Sequence, residues 1–137
     1  MPPSLLYVVK QVELAVRSHL DELLRPHGLT TSTYTALTVL ERRDGLTTAD
    51  LARTSFVTPQ AMADIVAALQ ARGHIVRTPD PSHGRRLRTS LTAEGRALLA
   101  ALAEEVGALE ERMLADLDPG QRAALRTHLN ACREALT

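Results

Sequence analysis

Apolar side chains recur at spacings of three and four over residues 5–23, the spacing of a helix with one apolar face. The pair Pro26 and Gly28 ends this first helix. A second apolar stripe, with Ser32 as its N-cap, runs to Arg43 and predicts a second helix. The N-terminal part of the chain is therefore predicted to be helical, with one apolar face on each helix.

The next two helices are short, capped and in tandem. Thr47 followed three residues later by Asp50 is an acidic form of the capping box. Thr58 caps the next helix, Pro59 occupies its first position, and Gly73 ends it. The intervening residues 56–58 have the length of the turn in a helix-turn-helix, which these two helices are predicted to form.

An antiparallel hairpin is predicted next. Branched side chains dominate residues 74–80, residues 86–92 alternate in character, and the segment DPSHG between them is rich in turn formers. The second strand carries Leu87, Thr89 and Leu91 on one side, and the hairpin tip carries Arg85, Arg86 and Arg88.

Two longer helices complete the chain. Thr92 caps the first of them, and the sequence Asp118-Pro119-Gly120 separates it from a final helix that begins near Gln121. The predicted fold is mostly α with a small β-hairpin, in a single domain over residues 1–137.

The formal net charge is zero, but the charges are separated along the sequence. Residues 72–96 carry six arginines and two acids, an excess of four positive charges, whereas residues 104–118 carry six acids and one arginine, an excess of five negative charges. A locally basic segment attracts anions even in a neutral protein. Because only 2% of the residues are aromatic, base stacking contributes little, and duplex rather than single-stranded nucleic acid is favoured.

No apolar run approaches the length of about 20 residues that crosses a bilayer, and no signal-peptide pattern is present. Cys132 is the only cysteine, so an internal disulfide is excluded. We therefore expect a cytoplasmic protein that does not associate with membranes.

A capped helix beside a basic hairpin suits duplex DNA, because a helix fits the major groove and a two-stranded ribbon reaches the backbone or minor groove. Arg85, Arg86 and Arg88 are candidates for phosphate or minor-groove contacts. Gln60 can pair bidentately with adenine, the free N–H groups after the cap attract phosphate, and alanine methyl groups can contact thymine. The candidate residues of this helix are Thr58, Pro59, Gln60, Ala61 and Ala63.

The stretch TTADLARTSFVTPQAMADIVAALQARGHIVRTPDPSHGRRLRTSLTAEGRALL resembles the winged helix-turn-helix core of the MarR (multiple antibiotic resistance regulator) family. Its most specific part is D-P-x-x-G-R-R followed by L-T-x-x-G, and the preceding stretch RPHGLTTSTYTALTVLERRDGLTTADLA resembles the family's second and third helices. The resemblance covers essentially the whole chain. It implies a DNA-binding core at residues 30–96 and dimerisation helices at residues 4–26 and 97–136.

This resemblance implies a homodimeric transcriptional regulator, a repressor that binds a pseudo-palindromic operator and is released by a small anionic or phenolic effector. It also implies that residues 58–72 form the recognition helix, that Arg85 is the wing arginine, and that Asp80 braces the wing. Asp64 departs from the pattern, since many relatives carry Arg or another donor there. Phosphate repels a carboxylate at this position unless it is paired or accepts from a cytosine amine. Apolar stripes on the long helices independently favour a dimer.

Three other functions remain open. A winged helix that binds protein instead of DNA has the same fold. A redox sensor would act through Cys132, although its place on an apolar helix face favours a buried structural thiol. An enzyme would depend on histidines whose spacing matches no metal or nucleophile motif, so we expect neither catalysis nor a metal or cofactor. These histidines are His19, His27, His74, His83 and His128.

Overall fold

The computed structural model describes all residues, 1–137, and contains six α-helices and one antiparallel hairpin, which confirms the predicted fold class. The chain divides into two compact units, residues 1–103 and residues 104–137. In chain order the elements are α1 Leu5–Leu24, a 3₁₀ turn Arg25–His27, α2 Thr31–Arg42, α3 Thr48–Thr54, α4 Pro59–Ala71, β1 Ile75–Asp80, β2 His83–Leu91, α5 Ala93–Met113 and α6 Pro119–Ala135.

The N-cap of α2 is Thr30, so the predicted N-cap Ser32 is wrong. The hydroxyl oxygen of Thr30 accepts a hydrogen bond from the backbone N–H of Thr33 at 3.2 Å. Thr31 donates to the carboxylate of Asp21 on α1 through its hydroxyl at 2.7 Å and its backbone N–H at 2.9 Å. These two bonds hold the pKa of Asp21 below its ordinary value. Every residue from 30 to 33 can cap a helix, and the tertiary contact with α1 selects among them.

The core of unit 1–103 lies between α2, α3, α4 and the hairpin, which pack against one another. Each fully buried leucine or methionine contributes about 1.5–3 kcal/mol before the entropy of ordering is counted. This packing fixes one face of α4 and leaves its opposite face to solvent. The largest fully buried side chains are Leu24, Leu37, Leu40, Leu51, Met62, Val66, Leu69 and Leu102, together with Thr89.

The hairpin is confirmed, but its second strand begins at His83, earlier than the predicted residue 86. Its register runs from Ile75 opposite Leu91 to Pro79 opposite Leu87, and then passes directly to Asp80 opposite His83. Residues 84–86 consequently have no strand partner and form an irregular bulge.

The base of the hairpin is anchored and its outer half is exposed. The backbone N–H of Gly45 donates to the carbonyl of Thr89 at 3.1 Å, and the N–H of Thr89 donates to the carbonyl of Leu46 at 2.7 Å. Of the three residues that share one side of the second strand, Thr89 and Leu91 are buried. Leu87 is 40% exposed because the hairpin projects beyond the core at this point.

Helix α5 begins where the hairpin returns to the core. The hydroxyl oxygen of Thr92 accepts from the N–H of Gly95 at 3.1 Å, which confirms the predicted cap, and the hydroxyl donates to the carbonyl of Gly73 at 2.6 Å. A Cβ atom on Gly95 would overlap the carbonyl oxygen of His74 and lie 3.2 Å from Leu91 Cδ2. Only glycine therefore permits this approach of α5 to β1.

In unit 104–137, α6 begins at Pro119, slightly before the predicted Gln121. The carboxylate of Asp118 accepts from the N–H of Gln121 at 2.8 Å, and the Gln121 side chain accepts from the N–H of Asp118 at 2.9 Å. This reciprocal capping box sets the start of the helix. Arg122 closes the preceding turn by donating to the carbonyl of Leu117 at 3.0 Å and to the carboxylate of Glu111 at 2.9 Å.

Several apolar side chains of α1 and α6 are exposed. Cys132 is exposed as well, so the prediction of a buried thiol is wrong for the single chain, because every residue of α6 after Leu125 is open to solvent. None of the helices combines the length and the hydropathy needed to span a bilayer. The exposed apolar residues include Leu5, Leu6, Val9, Val12, Leu129 and Leu136.

Candidate nucleic-acid interface

Helices α3 and α4 form a helix-turn-helix in which α4 has a tightly capped start. The hydroxyl oxygen of Thr58 accepts from the N–H of Ala61 at 3.1 Å, and the Thr58 carbonyl accepts from the N–H of Met62 at 2.9 Å. Pro59 has no N–H. The N–H of Gln60 is thus the one first-turn amide left for an external anion, fewer than the set of free amides expected from the sequence.

Helix α4 has two chemically distinct faces. Its inner face is fully buried in the core, as described above. Its outer face exposes Gln60, Ala63 and Asp64, with Ala67 one turn further along. Ala61 lies at the edge of that face and is half-buried. The predicted candidates of this helix are therefore brought together on one exposed surface with Thr58 and Pro59, and Ala67 is an additional member that helical spacing from Asp64 would have found.

The hairpin, called the wing below, presents two unpaired arginines. Arg85 and Arg86 lie in the bulge formed by residues 84–86, where both side chains are exposed. Neither guanidinium group makes a hydrogen bond or an ion pair within the chain. Both groups are free to bind an anion outside the protein.

Arg88 is differently placed. Its Nε atom lies 3.4 Å from a carboxylate oxygen of Asp80, which is only 6% exposed. Asp80 also accepts from the backbone N–H of Ser82 at 2.9 Å and thereby closes the turn. The Ser82 N–H, followed by Arg88, holds the pKa of the Asp80 carboxyl below its ordinary value. The geometry supports the expected bracing role of Asp80 and names Arg88 as its partner.

Electrostatic interactions relate the wing to the helix-turn-helix. The Thr47 hydroxyl, then Arg53, and more weakly Arg86 lower the pKa of Asp50 on α3. Arg53 is an exposed cation that pairs with Asp50 and that the sequence interpretation overlooked. Arg86 of the wing is therefore near enough to α3 to act on the Asp50 carboxylate.

The C-terminal end of α4 makes hydrogen bonds to the wing and to the connection between α1 and α2. Arg77 of β1 donates from Nε to the Gln70 side chain at 3.1 Å. Arg72, the C-cap of α4, donates to the carbonyls of His27 at 2.7 Å and Gly28 at 3.0 Å. The C-terminal end of α4 is thus held between the wing and the connection from α1 to α2.

A cleft of about 620 Å³ lies in the same unit, between α1, the start of α2 and the turn that joins α3 to α4. The sequence interpretation did not locate it, because its walls come from segments far apart in the chain. The residues that line it include Glu13, Arg17, Asp21, Arg25, Ser55 and Phe56.

No group of three or more His, Cys, Asp and Glu side chains is arranged to hold a metal ion. Burial, followed by the positive charge of Arg72, lowers the pKa of His74. What the unit does offer is an exposed helix face with amide and carboxylate groups and two unpaired guanidinium groups. This combination can bind a polyanion and read hydrogen-bonding groups.

Most of this chain is similar in sequence to known proteins. A sequence model described as the MarR family matches residues 27–86. The HTH-type transcriptional repressor Rv2887 of Mycobacterium tuberculosis is 36% identical over 123 residues, which cover 90% of this chain and 88% of that protein.

Solved structures extend the similarity to the fold. The crystal structure of the M. tuberculosis MarR family protein Rv2887 with salicylic acid has a TM-score of 0.77 at 34% identity and covers 96% of this chain and 97% of that chain. The structure of Rv2887 with DNA has a TM-score of 0.79 at 32% identity, with 96% and 98% of the two chains covered.

Proposed function

This chain belongs to the MarR family, and from that premise we propose that it is a sequence-specific, duplex-DNA-binding transcriptional repressor that acts as a homodimer. The observation that carries the proposal is the outer face of α4 beside the two unpaired arginines of the wing. The DNA complex of the mycobacterial relative, at 32% identity, supports the same function.

The two surfaces divide the work of binding. Arg85 and Arg86 contact phosphate or the minor groove and supply affinity that does not depend on sequence. Gln60 and the methyl groups of Ala63 and Ala67 meet base edges in the major groove, where a good bidentate pair discriminates by about 1–3 kcal/mol. Thr58 and the free N–H of Gln60 face the backbone at the start of α4.

A second copy of the chain accounts for the exposed apolar residues of α1 and α6. The adjacent leucines Leu5 and Leu6 are each more than 80% exposed in the single chain, which is unusual for two large apolar side chains side by side. We infer that residues 4–26 and 97–136 form the dimer contacts and that residues 30–96 form the DNA-binding core. A two-fold dimer places its recognition helices about 34–36 Å apart, so the half-sites lie about 10 base pairs apart.

The cleft is the proposed effector site. Arg17 and Arg25 supply positive charge, and Glu13 and Asp21 supply compensating negative charge, with Glu13 ion-paired to Arg17. The carboxylate of a small anionic or phenolic molecule can take the place of Glu13 at Arg17. The salicylic acid complex of the relative supports this class of ligand. Binding of the effector releases the repressor from its operator.

The family is one of transcriptional regulators, and no catalytic role is proposed for any residue. A regulator of transcription works where the chromosome lies, so we place the protein in the cytoplasm. No cofactor or metal enters this function.

Selection of bound duplexes from a random pool tests the proposal. The expected result is enrichment of a palindromic pair of half-sites with centres about 10 base pairs apart. Analytical ultracentrifugation of the selected complex is expected to show two chains for each duplex. A protein that binds no duplex at low ionic strength would exclude DNA binding and favour a winged helix that binds protein.

A further inference from the structure

Two adjacent residues in the turn between α3 and α4, Ser55 and Phe56, have unusual features, and both line the cleft. Phe56 has a strained backbone, and Ser55 has a buried hydroxyl without a partner. Phe56 has a backbone φ of 60°, the only positive value outside the glycines. The N–H of Val57 donates to the carbonyl of Ala52 at 3.1 Å, which closes a Schellman-type helix end around Phe56. Glycine is the usual residue at this position, because a bulky side chain is strained there.

The Phe56 side chain gains no packing that offsets this strain, since it is 88% exposed. The ring is available at the wall of the cleft and is held there by the turn. Strained backbone of this kind persists where the surrounding structure fixes it, and it clusters at ligand sites.

Ser55 presents the complementary anomaly. The residue is 5% exposed, and its hydroxyl oxygen is buried with no hydrogen-bond partner. Buried hydroxyl groups are normally paired, because an unpaired one loses its bonds to water without replacement. Ser55 also lines the cleft, so a rotation of its side chain would let an occupant of the cleft supply the missing partner.

We propose that the α3–α4 turn is itself part of the ligand site: the Ser55 hydroxyl bonds a polar group of an aromatic carboxylate, and the Phe56 ring covers its planar face. This inference rests on the proposed effector role of the cleft. The turn ends at Thr58, the N-cap of α4. Ligand contacts with the turn are therefore the contacts that change DNA binding. Occupancy therefore displaces the start of the recognition helix directly.

The chemistry of the walls selects the ligand class. Arg17 and Arg25 bind the carboxylate, and Ser55 reaches a hydroxyl or carboxyl oxygen of the ligand. The exposed ring of Phe56 favours a flat aromatic ring over a puckered aliphatic one, since aromatic faces stack with planar partners. Benzoate, salicylate and cyclohexanecarboxylate are the probes that separate these contributions.

Calorimetric titration of the full-length protein with the three probes tests the proposal. Phe56→Gly is expected to leave the melting temperature unchanged or raised, because glycine relieves the strain. The same variant is expected to bind benzoate about 3- to 10-fold more weakly and to lose the preference for benzoate over cyclohexanecarboxylate. Phe56→Asn tolerates the same backbone without a ring and is expected to behave alike.

Ser55→Ala is expected to retain its stability and to bind salicylate about 3- to 10-fold more weakly. Val76→Ala removes another exposed apolar side chain, on the wing and outside the cleft walls, and serves as the control that binds all three probes normally. The Ser55 and Phe56 variants are expected to require a higher salicylate concentration than wild type to release a fluorescent duplex.

Wild-type affinities in the Phe56 and Ser55 variants would overturn this inference and leave the proposed DNA-binding function intact. The inference also falls if the wild-type protein binds none of the probes while still binding duplex DNA. A wild-type protein that binds the probes and no duplex would instead contradict the proposed function.

Discussion

The carboxylate of Asp80 joins Arg88 at 3.4 Å to the backbone N–H of Ser82 at 2.9 Å, and thus locks the wing from within. This pairing separates the three arginines that the sequence places near the hairpin tip. Arg88 fixes the shape of the wing, whereas Arg85 and Arg86 remain unpaired. One arginine is therefore committed to the structure of the wing, and the other two are available to bind an anion.

Removing either partner of this pair is expected to loosen the wing. Arg88→Ala and Asp80→Ala should each accelerate amide hydrogen exchange over residues 81–87, because both break the ion pair across the wing and Asp80→Ala also removes the acceptor of the Ser82 N–H. Both variants should weaken binding to every duplex by about 3- to 10-fold, since a mobile wing must be ordered on binding. Arg85→Ala is the control, expected to weaken DNA binding without changing exchange. Equal exchange rates in all three variants would remove the bracing role.

The same carboxylate gives the stability of the protein a pH dependence. The pKa of Asp80 is lower in the folded protein than its ordinary value of 3.8. Its contribution is therefore fully present above that value and is lost as pH falls through the folded pKa. The difference in unfolding free energy between wild type and Asp80→Asn, measured with denaturant, should be constant from about pH 7 to pH 5 and shrink below about pH 4. A difference that grew at acidic pH would contradict the ionised pairing.

Loss of the unpaired arginines should change the salt dependence of DNA binding. If a dimer neutralises about eight phosphates, the logarithm of affinity falls against the logarithm of salt with a slope of roughly −7. In Arg85→Ala/Arg86→Ala the two copies lose about four such contacts, so the slope should move to roughly −3.5 for every duplex. Arg112→Ala/Arg126→Ala removes the same charge from exposed positions in unit 104–137. Ultracentrifugation should show that this variant is still a dimer, and it should then keep the wild-type slope.

Two glycines of α5 are expected to respond oppositely to a methyl group. Gly95→Ala should cost about 1–3 kcal/mol, because its Cβ would overlap the His74 carbonyl oxygen. Gly107→Ala meets no atom within 4 Å and should stabilise the helix by about 0.5–1 kcal/mol. Chemical denaturation of the two variants checks both signs. Similar stabilities for the two would show that α5 can move away from β1.

The local chemistry of caps predicted most helix starts, and its failure at Ser32 is instructive. Thr47, Thr58 and Thr92 each stand before a helix with few competing residues, and all three are caps in the structure. At residues 30–33 four capping residues follow one another, and the choice depends on Asp21, a residue ten positions away that no local pattern includes.

The candidate site likewise contains features that local sequence patterns predict and features that depend on tertiary contacts. Helical periodicity was sufficient to place Gln60, Ala63 and Asp64 on one exposed face. The pairing of Arg88 with Asp80 depends on the register of the hairpin and its bulge, which the turn-forming residues of the segment DPSHG do not specify. The cleft could not be predicted at all, since its residues on α1 and in the α3–α4 turn meet only through tertiary packing.

The outer face of α4 gives the most direct prediction about the base sequence of the operator. Gln60 and Asp64 are one turn apart and both exposed, and no hydrogen bond joins them, so each is free to read a base. In duplex selection, Gln60→Ala should lose the preference for adenine at one position of each half-site.

Asp64→Asn should bind random duplex about 3- to 10-fold more tightly at low salt, because a carboxylate facing phosphate is repelled. The same variant should lose preference for the base whose amine the carboxylate accepts from, with cytosine expected. Asp116→Asn removes an exposed carboxylate from unit 104–137 and should change neither quantity. If Asp64→Asn and Asp116→Asn selected the same sequences with the same affinity as wild type, Asp64 would lie outside the interface, and the face of α4 that reads DNA would have to be rotated away from it.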